Sequence, residues 1–243
     1  MKTILLKMAG PLQSWGTSSH FETRKTDYYP SKSAVIGMIA ACLGYERNSD
    51  DEIRQLNELD FAVRVDQPGH LIMDYHTVAK YKPNGELDKK KSYVTHRYYL
   101  QDAVFVVAVG HSDSEFIEMI ERGLRYPYFQ PFMGRRALPL PADFIIASTD
   151  CGVIESLKKE PWKAADWYRQ KHSSKLDIYA DAELIAGATE IVRKDRVISF
   201  SNKERRFSYR IESHLELELE PEGTGEEHDA FAAIGGQDVY IQS

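Results

Sequence analysis

Arg135 and Arg136 follow Gly134 directly, inside a run from 125 to 140 that holds three prolines before Leu140. Prolines at that density exclude regular helix or a central strand, and Gly134 lets backbone approach a ligand closely. Two guanidinium forks match phosphate oxygens or stack on bases, and the tyrosines and phenylalanines between them offer ring faces. A structural loop whose arginines pair with local carboxylates is the competing reading. A second group is Ser31, Lys32 and Ser33, at the start of an apolar run that ends at Ala41-Cys42-Leu43-Gly44. A serine there caps a helix, and free N–H groups with Lys32 beside them favour an anion. The same text also fits an ordinary capped helix whose serines serve only the backbone.

A third group pairs Asp74-Tyr75-His76-Thr77 with Tyr93-Val-Thr-His96-Arg97-Tyr98-Tyr99. On two strands of one hairpin, His76, His96, Arg97 and Tyr98 share a projecting arm, although cross-strand aromatic packing explains the tyrosines equally well. No H-x-x-x-H, H-E-x-x-H or C-x-x-C spacing occurs, and Cys42 and Cys151 are the only cysteines. No metal site, disulfide framework or cofactor is expected, and Cys42 reads as a small core hydrophobe. Neither G-x-x-x-x-G-K-[ST] nor G-x-G-x-x-G is present, so nucleotide-phosphate enzymes have no support.

The elements that must position these groups follow from hydrophobic pattern. Strands are predicted over 2–8, 61–66, 71–78, 93–100, 103–109 and 144–147, with helices over 31–43 and 112–122, the latter carrying Phe116, Met119 and Ile120 on its apolar face. Gly10-Pro11 ends the first strand, and the turn at 83–86 closes a long hairpin. The order βα, β, hairpin, βαβ is the α+β, ferredoxin-like arrangement of RNA-recognition modules, and one sheet face of such a fold is free to meet RNA. The alternation Leu215-Glu-Leu-Glu-Leu-Glu220 reads as an edge strand.

The 243 residues carry a net charge of −6, unevenly. Residues 212–243 hold nine acids and no Lys or Arg, which leaves +3 over the other 211 residues. Within those, 193–210 has seven basic residues against Asp195 and Glu204, a stretch that reads as a phosphate-contacting patch or as a solvated face. No run approaches the roughly 20 apolar residues of a membrane helix and no signal-peptide layout opens the chain, so a cytoplasmic protein without membrane contact is expected.

Assembled in order, the chain resembles the CasD family, the RNA-binding subunit of the type I-E CRISPR surveillance complex called Cascade. The likeness rests on Ala9-Gly-Pro-Leu-Gln-Ser-Trp-Gly16, Thr23-Arg24, Pro30-Ser-Lys-Ser33, Ala41-Cys-Leu-Gly44, Phe61-Ala-Val-Arg64 with Asp66, Asp74-Tyr-His-Thr-Val78, Tyr99-Leu-Gln-Asp-Ala103 and Gly134-Arg-Arg136 with Pro139-Leu140. Beyond residue 150 it is looser, apart from Arg205-Arg206-Phe207. The resemblance implies a domain over 1–150 with a β-hairpin thumb at about 70–102, and a smaller, mainly β region over 151–243 that ends in an acidic tail.

It also implies a non-catalytic scaffold of antiviral defence. Such a subunit grips the 5′ handle of CRISPR RNA (crRNA), caps a backbone of CasC-type subunits, helps seat a CasA-type large subunit, and meets target DNA only through the complex. The RNA contacts expected are Gln13, Ser14, Trp15, Arg24, Lys32, Ser33, Gly134, Arg135 and Arg136. His76, Arg97 and Tyr98 join them on the thumb, and Arg205 and Arg206 form a further phosphate patch. The alternative is a metal-independent endoribonuclease that processes repeat RNA, as in a sister branch of the superfamily, for which His20, His76, Tyr75 and Lys32 qualify by type.

Overall fold

Apolar side chains on both parities of three neighbouring strands force a sheet that is covered on both sides. In β1 (Lys2–Ala9), Ile4, Leu6 and Met8 point one way and Leu5 the other, and β7 (Val104–His111) divides in the same manner between Phe105, Val107, Val109 and Val106, Ala108. The computed structural model describes residues 1–19 and 22–219, without the side chains of 89–91. Its larger sheet has the order β10-β11-β9-β4-β7-β1-β8. β4 is Asp60–Gln67, β7 Val104–His111, β8 Ile145–Thr149, β9 Lys175–Asp181, β10 Thr189–Ser199 and β11 Arg206–Glu218. Every pairing in this sheet is antiparallel.

One face packs on α1 (Lys32–Cys42), α2 (Asp50–Leu56) and α3 (Ser114–Arg125), through residues such as Val35, Ile39, Ile53 and Ile120. Asp113 caps α3, and the buried residues are Ile117, Ile120 and Leu124; Met119, expected inside, is 38% exposed. Cys42 lies in this core, where burial pushes its thiol up to about 11. The second face is covered by α4 (Val153–Lys159), whose Val153 and Leu157 pack on Leu5, Ala62, Val106 and Ala108. That corrects the expectation of an open sheet face for RNA, because burying these alternate side chains requires a second layer.

Arg64 and Asp66, both fully buried, lock α4 in place. Arg64 Nε and Nη2 donate to Asp66 Oδ1 and Oδ2 at 2.7 and 2.8 Å, while Nη1 donates to the Glu160 carbonyl at 2.6 Å and Nη2 to that of Pro161 at 2.8 Å. Carbonyls past the end of a helix have lost their helical partners, and a guanidinium fork supplies several at once.

β5 (His70–Tyr81) and β6 (Leu87–Gln101) form the long hairpin, and β6 also pairs with β2 (Leu12–Gln13) and, in parallel, with β3 (Thr23–Arg24). β9 pairs with β4 and carries β11 and β10 onto the same sheet, so strands from both sides of residue 150 share it. β11 runs between β9 and β10 as far as His214, but Leu215 to Glu218 pair with β9 alone, so this stretch is a sheet edge as expected, with Leu215 and Leu217 partly buried and Glu216 and Glu218 exposed. The acidic tail after Leu219 lies outside the described residues, as does His20.

Replacing Arg64 with Ala strands the buried Asp66 carboxylate and the α4 carbonyls. The expected cost is about 3–5 kcal/mol of unfolding free energy, read by urea denaturation, whereas a loss below about 1 kcal/mol would show that the pair is dispensable.

Candidate nucleic-acid interface

Helix α1 begins as predicted, with Ser31 as its cap: Ala34 N–H donates to Ser31 Oγ at 3.3 Å. The anion at its N-terminus, however, is internal. The Lys32 backbone N–H donates to Asp195 Oδ2 at 2.9 Å, and Lys32 Nζ reaches Asp181 Oδ2 at 2.8 Å. Arg210 binds the same two carboxylates, Nε to Asp195 Oδ1 at 2.7 Å and Nη1 to Asp181 Oδ1 at 3.2 Å, and also Glu212. Arg193 bridges Asp27 at 2.9 Å and Glu212 at 3.2 Å, and its guanidinium lies 4.4 Å from the Tyr29 ring centroid. Tyr29 donates to Glu212 at 2.7 Å, and burial raises its phenol above its ordinary value.

Three cations thus face four carboxylates in a buried network. Burial alone would lower the Arg210 pKa, but Asp195, Glu212 and Asp181 hold it above its ordinary value. Lys32 is 7% exposed and committed to this network, so the expectation that it holds an RNA phosphate is replaced by a structural role. The basic stretch 193–210 divides likewise, because Arg193 and Arg210 point inward while Arg205 and Arg206 are exposed.

In front of α1 lies a cleft of about 1040 Å³. Residues 14–16, 19 and 24–25 meet there with α1 and its cap, 45–47, Ile53 of α2, 129–136 and 200–207. Six basic residues line it, Arg24, Lys25, Arg47, Arg135, Arg136 and Arg205, against one acid, Glu46. Its floor is the Ala34, Gly37 and Ala41 side of α1, flanked by Phe129, Phe132, Phe200 and Phe207.

The loop bearing the arginine pair is fixed by backbone geometry. Met133 N–H donates to Leu138 O at 2.8 Å and Ser14 N–H to Met133 O at 3.3 Å. Gly134 has φ +80°, and a Cβ there would stand 1.6 Å from the Ser14 carbonyl oxygen, so both conformation and space demand glycine. Arg135 Nη2 donates to the carbonyls of Arg24 and Tyr98, each at 3.0 Å, and its guanidinium lies 4.1 Å from the Tyr99 ring centroid. Its Nη1 and the Nε of Arg97 are buried without a protein partner. Arg136 is exposed and lines the cleft.

Of the residues expected from sequence, Ser14, Trp15, Arg24, Ser33, Gly134, Arg135, Arg136 and Arg205 line this one cleft. Gln13 does not. Fully buried, it donates to the carbonyls of Met8 and Ala103 at 3.1 and 2.7 Å and accepts from Trp15 Nε1 at 3.0 Å, so its amide is consumed by the fold. Trp15, 1% exposed, contributes from beneath as floor, not as a stacking surface. His76, Arg97 and Tyr98 are on the hairpin, and Arg206 is exposed next to the cleft lining, 3.7 Å from Glu204. Among the groups eligible for metal-free cleavage, Lys32 is sequestered, while Tyr75 and His76 are exposed and alternate on β5, so they point to opposite faces.

Sequence reading missed Lys25, Arg47 and the floor of α1. Lys25 adjoins the flagged Arg24, whereas no local pattern brings Arg47 to the cleft.

The family described as CRISPR-associated protein (Cas_Cas5) matches residues 3–212. The chain belongs to this Cas5 family. A curated relative, the CRISPR system Cascade subunit CasD of Escherichia coli (strain K12), is 34% identical over 152 residues, covering 56% of this chain and 66% of the relative, just under two thirds of its length. A chain from a solved CRISPR RNA-guided surveillance complex superposes with a TM-score of 0.75 at 34% identity, covering 89% of this Cas5 protein and 90% of that chain. A Cas protein crystal structure gives 0.63 at 29%, covering 89% and 95%. These neighbours share the mixed α and β architecture with antiparallel sheets. No described helix is long and apolar enough to cross a membrane, and no cluster of metal-ligating side chains occurs among the described residues.

Two outcomes check this geometry. Lys32→Met should lower unfolding free energy by about 2–3 kcal/mol yet leave the salt dependence of RNA binding unaltered, since its ammonium serves the fold. A shallower salt slope would return Lys32 to the RNA. Gly134→Ala should cost at least about 1–2 kcal/mol from the left-handed conformation alone, with a lower melting temperature and weaker RNA binding; an unchanged melt would refute the close approach to Ser14.

Proposed function

We propose that this chain is the non-catalytic RNA-binding scaffold of a Cascade surveillance complex, in which it grips the 5′ handle of crRNA. The observation that carries the proposal is the convergence of six Lys or Arg residues, against a single Glu, on one aromatic-flanked cleft in a Cas5 family member. Cations over an RNA backbone release counterions, and ring faces accept unstacked bases. The buried, unpartnered donor Arg135 Nη1 supports an anion at the 132–138 loop, where a phosphate oxygen would complete its hydrogen bonding.

The order β8-β1-β7-β4, with α1 and α3 on one face, supports the ferredoxin-like reading, and the β5–β6 hairpin supports a thumb that reaches along the RNA. In this proposal, CasC-type backbone subunits follow from the capped end of the complex, a CasA-type subunit sits alongside, and target DNA is met through the guide. The work is cytoplasmic and needs no cofactor. Non-catalysis fits the placement of Lys32, Tyr75 and His76, which do not converge on one site.

Arg136 and Arg205 are exposed cleft residues whose loss leaves no packing defect. Arg136→Ala with Arg205→Ala is expected to weaken binding of a 5′-handle RNA and to flatten log K against log salt by about 1–1.5, as two lost phosphate contacts require on a single strand. An unchanged slope, measured by anisotropy at several salt concentrations, would overturn handle binding at this cleft. Repeat RNA incubated with purified protein and chelator should stay intact; cleavage products would establish the endoribonuclease instead.

A further inference from the structure

The face of the sheet that α4 covers also carries an aromatic cluster that the cleft does not use. Past α4 the chain turns through Trp162 into α5 (Asp166–Arg169). Trp162 Nε1 donates to the Asp66 carbonyl at 2.8 Å, Lys163 N–H to Asp66 Oδ2 at 2.6 Å, and Ala165 N–H to Gln67 Oε1 at 3.2 Å, so the segment is clamped to the end of β4. On this support the Tyr168 and His172 rings stack in parallel, with centroids 3.9 Å apart and planes 14° from each other. Trp162 and Trp167 meet Tyr168 edge-on at 6.2 and 5.7 Å. The cluster is open on its outer side, where Trp167 is 49% exposed and His172 is exposed as the outer layer of the stack.

Its charge is one-sided. Residues 158–175 hold six Lys or Arg against Glu160 and Asp166, and both acids pair within the segment, to Lys163 at 2.7 Å and to Arg169. Lys171, which adjoins His172 in the chain, and Lys158, near the end of α4, remain exposed. The core of a protein interface is depleted of lysine, whereas preassembled rings with a lysine adjoining them suit a backbone with bases to stack. None of these residues lines the cleft, which opens on the α1 face of the sheet.

We propose that the Trp167–His172 surface is a second binding site, for single-stranded nucleic acid, which stacks a base on the open face of the Tyr168–His172 pair while Lys171 meets its phosphates. A strand passing this side of the protein would be held without base-specific hydrogen bonds, because every base offers a ring face.

The test uses the full chain and a short fluorescent oligouridine that lacks the handle sequence. In an Arg136→Ala, Arg205→Ala background, oligouridine binding should persist. Adding Trp167→Ala with His172→Ala should weaken it at least about fivefold, the scale of one lost stacking contact, whereas Trp167→Phe retains it. Lys171→Glu is a surface change that cannot open the fold, and it should weaken binding and flatten its salt dependence. The proposal falls if the ring and Lys171 variants bind as tightly as their parent, or if no binding survives in the cleft-weakened background. It also falls if the ring variants lose only a co-purifying protein and keep oligouridine affinity. Failure of the cleft reading is separate, since that appears as unaltered handle-RNA affinity in the Arg136, Arg205 variant.

Discussion

The α1 N-terminus, with its unsatisfied N–H groups and positive dipole end, is seated on a carboxylate from its own chain. Asp195 accepts the Lys32 N–H and is held in turn by Arg210, which also grips Asp181 and Glu212. One network therefore ties the helix beneath the cleft to β9, β10 and β11. Buried charge is costly unless fully partnered, and here four carboxylates meet three cations and a tyrosine hydroxyl, so the arrangement persists only when every strand is in place. The position of α1, the level of the cleft floor and the attachment of the C-terminal strands are three readings of one electrostatic constraint.

That constraint also explains a division of labour among basic residues. Lys32, Arg64, Arg193 and Arg210 are consumed by internal carboxylates, while Arg24, Lys25, Arg47, Arg136 and Arg205 reach the cleft. A net charge of −6 is compatible with an RNA cleft because the acids are spent on the network, on surface pairs and in the C-terminal stretch. Sign and place, not sum, decide what the cleft attracts.

Apolar runs made the central strands and α1 legible, helical spacing made α3 legible, and the turn at 83–86 did the same for the hairpin, since each of these signals is local. The capping serine and the glycine before the arginine pair were legible for the same reason: a local backbone need dictates the residue. What stayed hidden is long-range. Nothing near Lys32 announces Asp181, 149 positions away, so a lysine beside a helix start looked free for phosphate. Gln13 and Trp15 looked accessible within a polar loop, yet their hydrogen bonds close on each other, on β1 and on Ala103 just before β7. The short helices α2, α4 and α5 have too few turns to show a period, and β10 mixes exposed Ile191 and Val192 with buried Asp195, inverting the usual alternation. The ordered motifs nonetheless carried the family, because eight of the residues they flagged converge on one cleft from segments far apart in the chain.

Arg135 joins parts of the molecule that lie far apart in the chain. Its guanidinium holds the carbonyls of Arg24 on β3 and Tyr98 on β6 and lies against the Tyr99 ring, while its backbone belongs to the cleft loop. β3 itself contributes just two residues to the sheet, so this side chain is the rivet between the hairpin's root and the rim of the groove. Torque applied to the hairpin by whatever lies against it is delivered to the cleft through this rigid plane, beside the β2–β6 pairing and the Ser14 hydroxyl on the Tyr98 carbonyl, which makes the arm and the grip one mechanical part.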